Sequence, residues 1–210
     1  MTTRLCGLLL FTVVMISGCQ PYAGTVRTGT VFLGDSIFIR WNLAEYFPGK
    51  GYIDAGIAGQ TTSEILNRLP DTLSGQNVCS GDAGITTCQV IDPPRTVVIY
   101  AGWNNLFQGT DPQAAVSDIE SMVLLCLDSG ATPVIATVYH FDPAFPSGSG
   151  FDVPADQINQ GLRALGTKYN IPVVDLEQIF LSQSNYTLDG VHPNPAGYSQ
   201  MQSAFAPALN

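Results

Sequence analysis

The sequence predicts an α/β fold, a parallel sheet with helices on both faces. Three observations carry this. Apolar runs of strand length alternate along the chain with longer segments of helical spacing, which implies βαβ units. The run Thr96–Tyr100 (TVVIY) is β-branched and unbroken, the mark of a strand buried on both faces. The chain has 210 residues, 45% hydrophobic and 12% charged, which suits one domain with one sizeable core and excludes a disordered chain.

The first stretch is not read as fold. Met1–Arg4 is short and polar with one positive charge, and Leu5–Ile16 is almost wholly apolar. That run is too short to span a bilayer, which takes about 20 residues, but it suits the apolar region of a secretory signal. It ends in Ile16-Ser17-Gly18-Cys19, which resembles a bacterial lipoprotein signal whose cysteine is lipidated and becomes the new N-terminus. Residues 1–18 are therefore read as signal peptide, Cys19 as the lipidation site, and 19–29 as a tether. Gln20 after the cysteine leans towards the outer membrane. Ordinary signal cleavage and an uncleaved apolar N-terminus are the alternatives.

This reading discards Cys6 and acylates Cys19, leaving Cys79, Cys88 and Cys126. An exported protein meets an oxidising compartment. Cys79 and Cys88 bracket a Gly/Ser/Asp/Thr loop and are expected to form a local disulfide, on compartment and spacing alone. A zinc site there is disfavoured, since no His or second Cys pair lies near in sequence.

The domain is read as residues 30–210. Thr30–Leu33 is a short strand, followed by a helix from Ser36 to Tyr46. Tyr52–Ala55 is a weak strand before a helix within Thr61–Leu69. After Thr96–Tyr100, Asp111-Pro112 offers an N-cap and a proline at the first helical position. That helix runs to Ser129 and stops at Gly130. Ala115, Ile119, Met122, Val123 and Cys126 follow helical spacing, so Cys126 is read as a core residue rather than a reactive thiol. Pro133–Val138 is the next buried strand, a helix spans Ala155–Tyr169, and Pro172–Val174 is the last strand. Asn194-Pro195 caps a closing helix to Ala208. No repeat or second domain is visible.

Charge narrows the partners. Eight Lys and Arg stand against 17 Asp and Glu, a net −9. That balance disfavours binding of nucleic acid through phosphates and polybasic docking on anionic lipid. Only two histidines occur, His140 and His192.

In a parallel sheet, ligands bind beyond the carboxyl ends of the strands. The relevant loops follow Leu33, Ala55, Tyr100, Val138 and Val174. The loop with Cys79 and Cys88 leads into the strand at Thr96 and is expected at the opposite edge. Four stretches at the carboxyl ends carry chemistry. Gly34-Asp35-Ser36 puts a serine between strand and helix, as a nucleophile or simply a cap. Gly56-Ile57-Ala58-Gly59-Gln60-Thr61-Thr62 offers backbone N–H groups that glycine lets a ligand approach. Gly102-Trp103-Asn104-Asn105 offers amides that can donate to an oxyanion, or a plain turn. Asp189-Gly190-Val191-His192 puts a carboxylate three residues from an imidazole it can orient. His140, with Asp142 nearby, is the rival base. No G-x-S-x-G elbow, Walker A loop, G-x-G-x-x-G or H-E-x-x-H occurs, which argues against a typical α/β-hydrolase, an NTPase, a Rossmann dehydrogenase and a zincin.

Gly34-Asp35-Ser36, Gly59, Asn104 in its G-x-N turn and Asp189-x-x-His192, in this order over residues 30–208, resemble the SGNH, or GDSL, hydrolase family. The resemblance implies a three-layer α/β/α sandwich similar to flavodoxin. It implies Ser36 as nucleophile, His192 as base and Asp189 as its partner. The oxyanion hole would be the backbone N–H groups of Ser36 and Gly59 with the Asn104 side chain. Asn105 departs from the Asp that many members carry. The expected activity is hydrolysis of a carboxylic ester through an acyl-enzyme, with no metal and no cofactor. Lysophospholipid, short-chain acyl and O-acetyl carbohydrate esters all fall within the family's range, as do thioesters. Transfer of the acyl group to a sugar hydroxyl and a catalytically silent, lipid-anchored binding protein are the rival readings. The aromatic stretch from Val138 to Pro154 (Tyr139, Phe141, Phe145, Phe151), with Trp41 and Trp103, is a candidate pocket wall or a loop anchor. The expected partners are a small-molecule ester and, through the lipid anchor, a membrane, for a monomeric protein.

Overall fold

Residues 26–145 and 150–209 are described by the computed structural model, so the signal stretch, Cys6 and Cys19 lie outside the described residues. The elements in chain order are strand β1 (Thr28–Gly34), helices α1 (Ser36–Ile39) and α2 (Leu43–Tyr46), strand β2 (Ile53–Gly56) and helix α3 (Thr62–Ser74). Strands β3 (Val78–Asp82), β4 (Ile85–Gln89) and β5 (Pro94–Tyr100) follow, then helices α4 (Trp103–Phe107) and α5 (Pro112–Ser129). Strand β6 (Thr132–Ala136), helix α6 (Asp152–Tyr169), strand β7 (Val173–Val174), helix α7 (Leu176–Phe180) and helix α8 (Pro195–Phe205) complete the chain, with a final 3₁₀ turn over Ala206–Leu209.

The main sheet has the order β2-β1-β5-β6-β7, every pair parallel. The chain winds from β1 out to β2, crosses back to β5 and then winds the other way. The loops after β1 and β5 therefore diverge, which opens a crevice at the carboxyl edge. Val31–Leu33 of β1, Val97 and Val98 of β5 and Val134 and Ile135 of β6 have no exposed surface. Such strands need a helix layer on each face. On one side α3 packs against α5 and α5 against α6; elsewhere α8 packs against α2 and α7. Phe32 of β1 is surrounded by the rings of Phe38, Trp41, Phe47, Tyr52 and Phe205, with centroids 5.2–6.0 Å away.

Several expectations are corrected. β1 begins at Thr28, inside the stretch read as tether. The helix expected over 36–46 is two four-residue helices, because the chain turns at Arg40–Asn42 to bury Trp41, stacked on Tyr198 at 5.6 Å. Packing outweighs local propensity here. α3 runs through Pro70 to Gly75, kept helical by burial of Leu69, Thr72 and Leu73. α4 and α7 were not foreseen.

The largest correction concerns Cys79 and Cys88. Their segment is an antiparallel hairpin in which the two residues face each other and form a disulfide. The base of the hairpin sits at the amino edge, where Ile91 N–H donates to Gly75 O at 2.9 Å. Five extended residues span about 17 Å, so the tip reaches the opposite edge. There Ala58 N–H donates to Gly81 O at 2.9 Å, and Arg40 pairs with Asp82 at 2.9 Å. The loop that was expected at the far edge therefore supports the carboxyl edge.

Candidate active site

Asp35 caps α1: its Oδ1 accepts from Ile37 N–H at 2.9 Å, so Ser36 is the first helical residue rather than the cap. β2 presses on this turn. A Cβ at Gly56 would lie 2.4 Å from Ile39 N and 2.7 Å from Asp35 O, so only glycine fits. The Ser36 hydroxyl, 9% exposed as a residue, lies 2.9 Å from Nε2 of His192. His192 comes from the turn before α8, 156 residues away in the chain. Its Nδ1 lies 2.7 Å from Asp189 Oδ2. The other oxygen, Oδ1, accepts from the backbone N–H of His192 at 2.8 Å and of Val191 at 3.1 Å. Burial alone would raise the Asp189 carboxyl, but these bonds outweigh it and hold it below the ordinary carboxylate range. With Asp189 ionised, Nδ1 carries the proton and Nε2 is free to accept from Ser36.

Gly59 follows β2, and its φ of +84° suits glycine. Among the described residues, no acceptor takes the backbone N–H of Ser36 or Gly59. Asn104 lies in α4, a short helix rather than a plain turn. Its Nδ2 donates to Gln60 O at 2.9 Å and stands 3.4 Å from Asp35 Oδ2. Asn105 turns the other way: it accepts from Thr62 N–H at 2.9 Å and donates to Thr62 Oγ1 at 2.9 Å, fully inside. The structure thus brings Ser36, His192, Asp189, Gly59 and Asn104 to one edge and leaves Asn105 as a tie between α4 and α3.

Beneath the serine lies an ionic group that the sequence reading missed. Arg68 of α3 donates to Gly34 O at 2.8 Å and to Gln60 Oε1 at 2.6 Å, linking the ends of β1 and the Gly59 loop. Burial pushes Arg68 down to about 10, Asp54 up to about 6 and Asp35 up to about 7. Near neutral pH, Asp35 therefore contributes only part of a negative charge next to the nucleophile. No sequence signal marks this arrangement, because Arg68 reaches the site only once α3 is packed.

The rival histidine stands elsewhere. His140 Nε2 lies 2.6 Å from Asp156 and 3.3 Å from Glu177, not against Ser36. His140, Asp156 and Glu177 are the one group of three potential metal ligands among the described residues. Arg163 pairs with Glu177 and, at 2.7 Å, with Asp175, so a guanidinium already supplies the countercharge. Asp142 does not pair with His140 at all. Trp41 and Trp103 are each only 1% exposed and belong to the core rather than to an open pocket. Phe141 packs on the catalytic-edge turn, where a Cβ at Gly190 would meet its ring at 2.2 Å.

A family model described as GDSL-like Lipase/Acylhydrolase matches residues 32–200. Among solved structures, a GDSL-like lipase from Bacteroides thetaiotaomicron VPI-5482 is 26% identical, with 87% of each chain covered and a TM-score of 0.70. A protein assigned as an acylhydrolase from Bacteroides fragilis NCTC 9343 is 29% identical, with 90% of each chain covered and a TM-score of 0.70. An acetyl xylan esterase superposes with a TM-score of 0.68 over 87% of this chain and 100% of its own; at 18% identity this speaks for the fold alone. A comparison with curated protein sequences returned no significant match.

Proposed function

The chain belongs to the GDSL-like lipase/acylhydrolase family, and from that premise we propose that it hydrolyses a carboxylic ester through an acyl-enzyme on Ser36, with His192 as general base and Asp189 orienting it. Ester hydrolysis is the chemistry of the family and of this chain. The observation that carries the residue roles is the unbroken hydrogen-bond path from Ser36 Oγ through both nitrogens of His192 to Asp189.

In this reading His192 Nε2 takes the hydroxyl proton as Oγ attacks the ester carbonyl. The carbonyl oxygen becomes an oxyanion held by the N–H groups of Ser36 and Gly59 and by Asn104. One N–H of Asn104 is spent on Gln60 O; the second stands at the long 3.4 Å from Asp35 and is the one read as the oxyanion donor. Return of the proton from His192 to the alcohol oxygen releases the alcohol and leaves Ser36 acylated. His192 then takes a proton from water, whose oxygen attacks the acyl carbon; return of that proton from His192 to Ser36 Oγ breaks the acyl–Oγ bond, frees the acid and restores the serine.

The test combines labelling with kinetics. A fluorophosphonate should label Ser36 and no other serine, and Ser36→Ala should not hydrolyse p-nitrophenyl esters. His192→Ala should lose turnover while His140→Ala keeps it, because His140 is tied to Asp156 and Glu177. Turnover that survives in His192→Ala but not in His140→Ala overturns the roles. A panel of p-nitrophenyl esters of increasing chain length beside acetylated sugars, run with and without a sugar acceptor, identifies the acyl and alcohol parts and separates hydrolysis from transfer.

A further inference from the structure

The turn that carries Asp189 and His192 has few regular backbone bonds of its own. Leu188 N–H donates to His192 O at 2.8 Å, and Asn194 N–H to Tyr186 O at 3.0 Å. Side chains tie it down: Tyr139 Oη donates to Val191 O and Asn194 Nδ2 to Asn185 O, and a buried carboxylate from elsewhere gathers the N–H groups at its start. Asp142, in the loop after β6, has no exposed surface. Its Oδ1 accepts from the backbone N–H of Ala144 and of Asn185, both at 3.0 Å. Its Oδ2 accepts from Thr187 N–H and Thr187 Oγ1, both at 2.9 Å. The Thr187 hydroxyl in turn accepts from Gly190 N–H at 3.0 Å, and Gly190 O accepts from Asp142 N–H at 2.9 Å.

The contacts to residues 187 and 190 fall on either side of Asp189. All four groups that meet the carboxylate are donors, so an acceptor-only side chain fits and an amide does not. Burial alone would raise the carboxyl; the donors from Ala144, Thr187 and Asn185 outweigh it and hold it below the ordinary range. No cation partners this buried anion among the described residues, so its charge rests on those donors.

We infer that Asp142 is a positioning residue for the hydrolysis: through Thr187 it fixes the Asp189–His192 turn so that Nε2 meets the Ser36 hydroxyl. This rests on the reading of Ser36, His192 and Asp189 as the reacting group. The physical basis is that a misplacement of about 1 Å can cost on the order of 10² in rate. The proton path here is two bonds long, at 2.9 and 2.7 Å, and His192, on this turn, takes part in both.

The experiment uses the full chain and five proteins: wild type, Asp142→Asn, Thr187→Val, Thr187→Ser and His192→Ala. For each, kcat and KM on p-nitrophenyl acetate, the rate of fluorophosphonate labelling and the thermal midpoint are measured. Thr187→Val keeps the shape and deletes the hydroxyl. It should stay folded at the assay temperature and lose about tenfold or more in kcat and in labelling rate, with KM nearly unchanged. Asp142→Asn should lose up to about 10² in the same way. Thr187→Ser, which restores the hydroxyl, should recover kcat to within about threefold of wild type. If Asp142→Asn does not fold, the threonine pair decides. Wild-type kcat in folded Thr187→Val, or a Thr187→Ser as slow as Thr187→Val, overturns the inference while an inactive His192→Ala leaves the reacting group standing. Full activity in His192→Ala overturns the reading of the reacting group itself.

Discussion

Asn104 and Asn105 are neighbours in the chain with different work. Successive residues of a helix point about 100° apart, so α4 aims Asn104 at Gln60 and Asp35 while Asn105 is buried against Thr62. Asn104→Ala is expected to cost about 10²–10³ in kcat with KM nearly unchanged, as for loss of one oxyanion donor. Asn105→Ala strands the buried Thr62 N–H and is expected to cost about 1–3 kcal/mol of stability with a much smaller effect on kcat. Steady-state kinetics beside thermal unfolding checks both, and the reverse pattern moves the oxyanion role to Asn105. Asp35 gives a second prediction at this scale. Its folded value of about 7 lies above the unfolded carboxyl near 4, so its contribution to stability is complete below about pH 4 and is lost as pH rises to about 7. Asp35→Asn keeps an N-cap and cannot ionise. It should therefore be more stable than wild type at pH 8, on the order of a few kcal/mol, and show no such gain at pH 4. Denaturant unfolding at the two pH values tests this; a wild type that is the more stable at pH 8 rules it out.

At the scale of elements, the β3–β4 hairpin joins stability to the site. The disulfide closes a short loop, with Cys79 and Cys88 nine apart in sequence. In the chain-entropy account such a loop is worth about 2–3 kcal/mol. The hairpin tip also holds Ala58, the neighbour of Gly59. Replacing both cysteines by serine is expected to lower stability by about that amount and to lower kcat less than about tenfold. Unfolding curves of the native and reduced protein measure the first part. Coincident curves would show that the bridge contributes nothing. The helix that opens β1's crossover was legible only in part: Asp35-Ser36 marks its start, but its early end is written in the burial of Trp41 against Tyr198. α7 carries a local signal: Asp175 caps it with a bond from Gln178 N–H at 3.3 Å, and Asp followed by Gln three residues later is a helix-start pattern.

At the scale of the molecule, an N-terminal lipid is the proposed route to a membrane. Cys19 lies outside the described residues, so this stands on the Ile16-Ser17-Gly18-Cys19 pattern alone. Cys19→Ala, in a form whose signal is verified as cleaved, is expected to move from the membrane fraction to the soluble one. Retention in the membrane fraction would refute the anchor.

The strand and helix alternation, the burial of Val97–Tyr100, the caps of α5 and α8 and the ordered set Ser36, Gly59, Asn104, Asp189 and His192 are legible in the sequence. The first three depend on neighbours within a turn or two, where hydrophobic period and capping chemistry act directly, whereas the set is legible only through its resemblance to the family. Packing sets the rest: the Cys79–Cys88 segment climbs to the catalytic edge, Arg68 joins the β1 end to the Gly59 loop, and Asp142 grips the turn of His192 from some 45 residues away. Those contacts need loops closed over long separations, and a buried charge or donor is matched only after the core has packed. No local pattern encodes them, because the same Asp or Arg on an open surface would be satisfied by water.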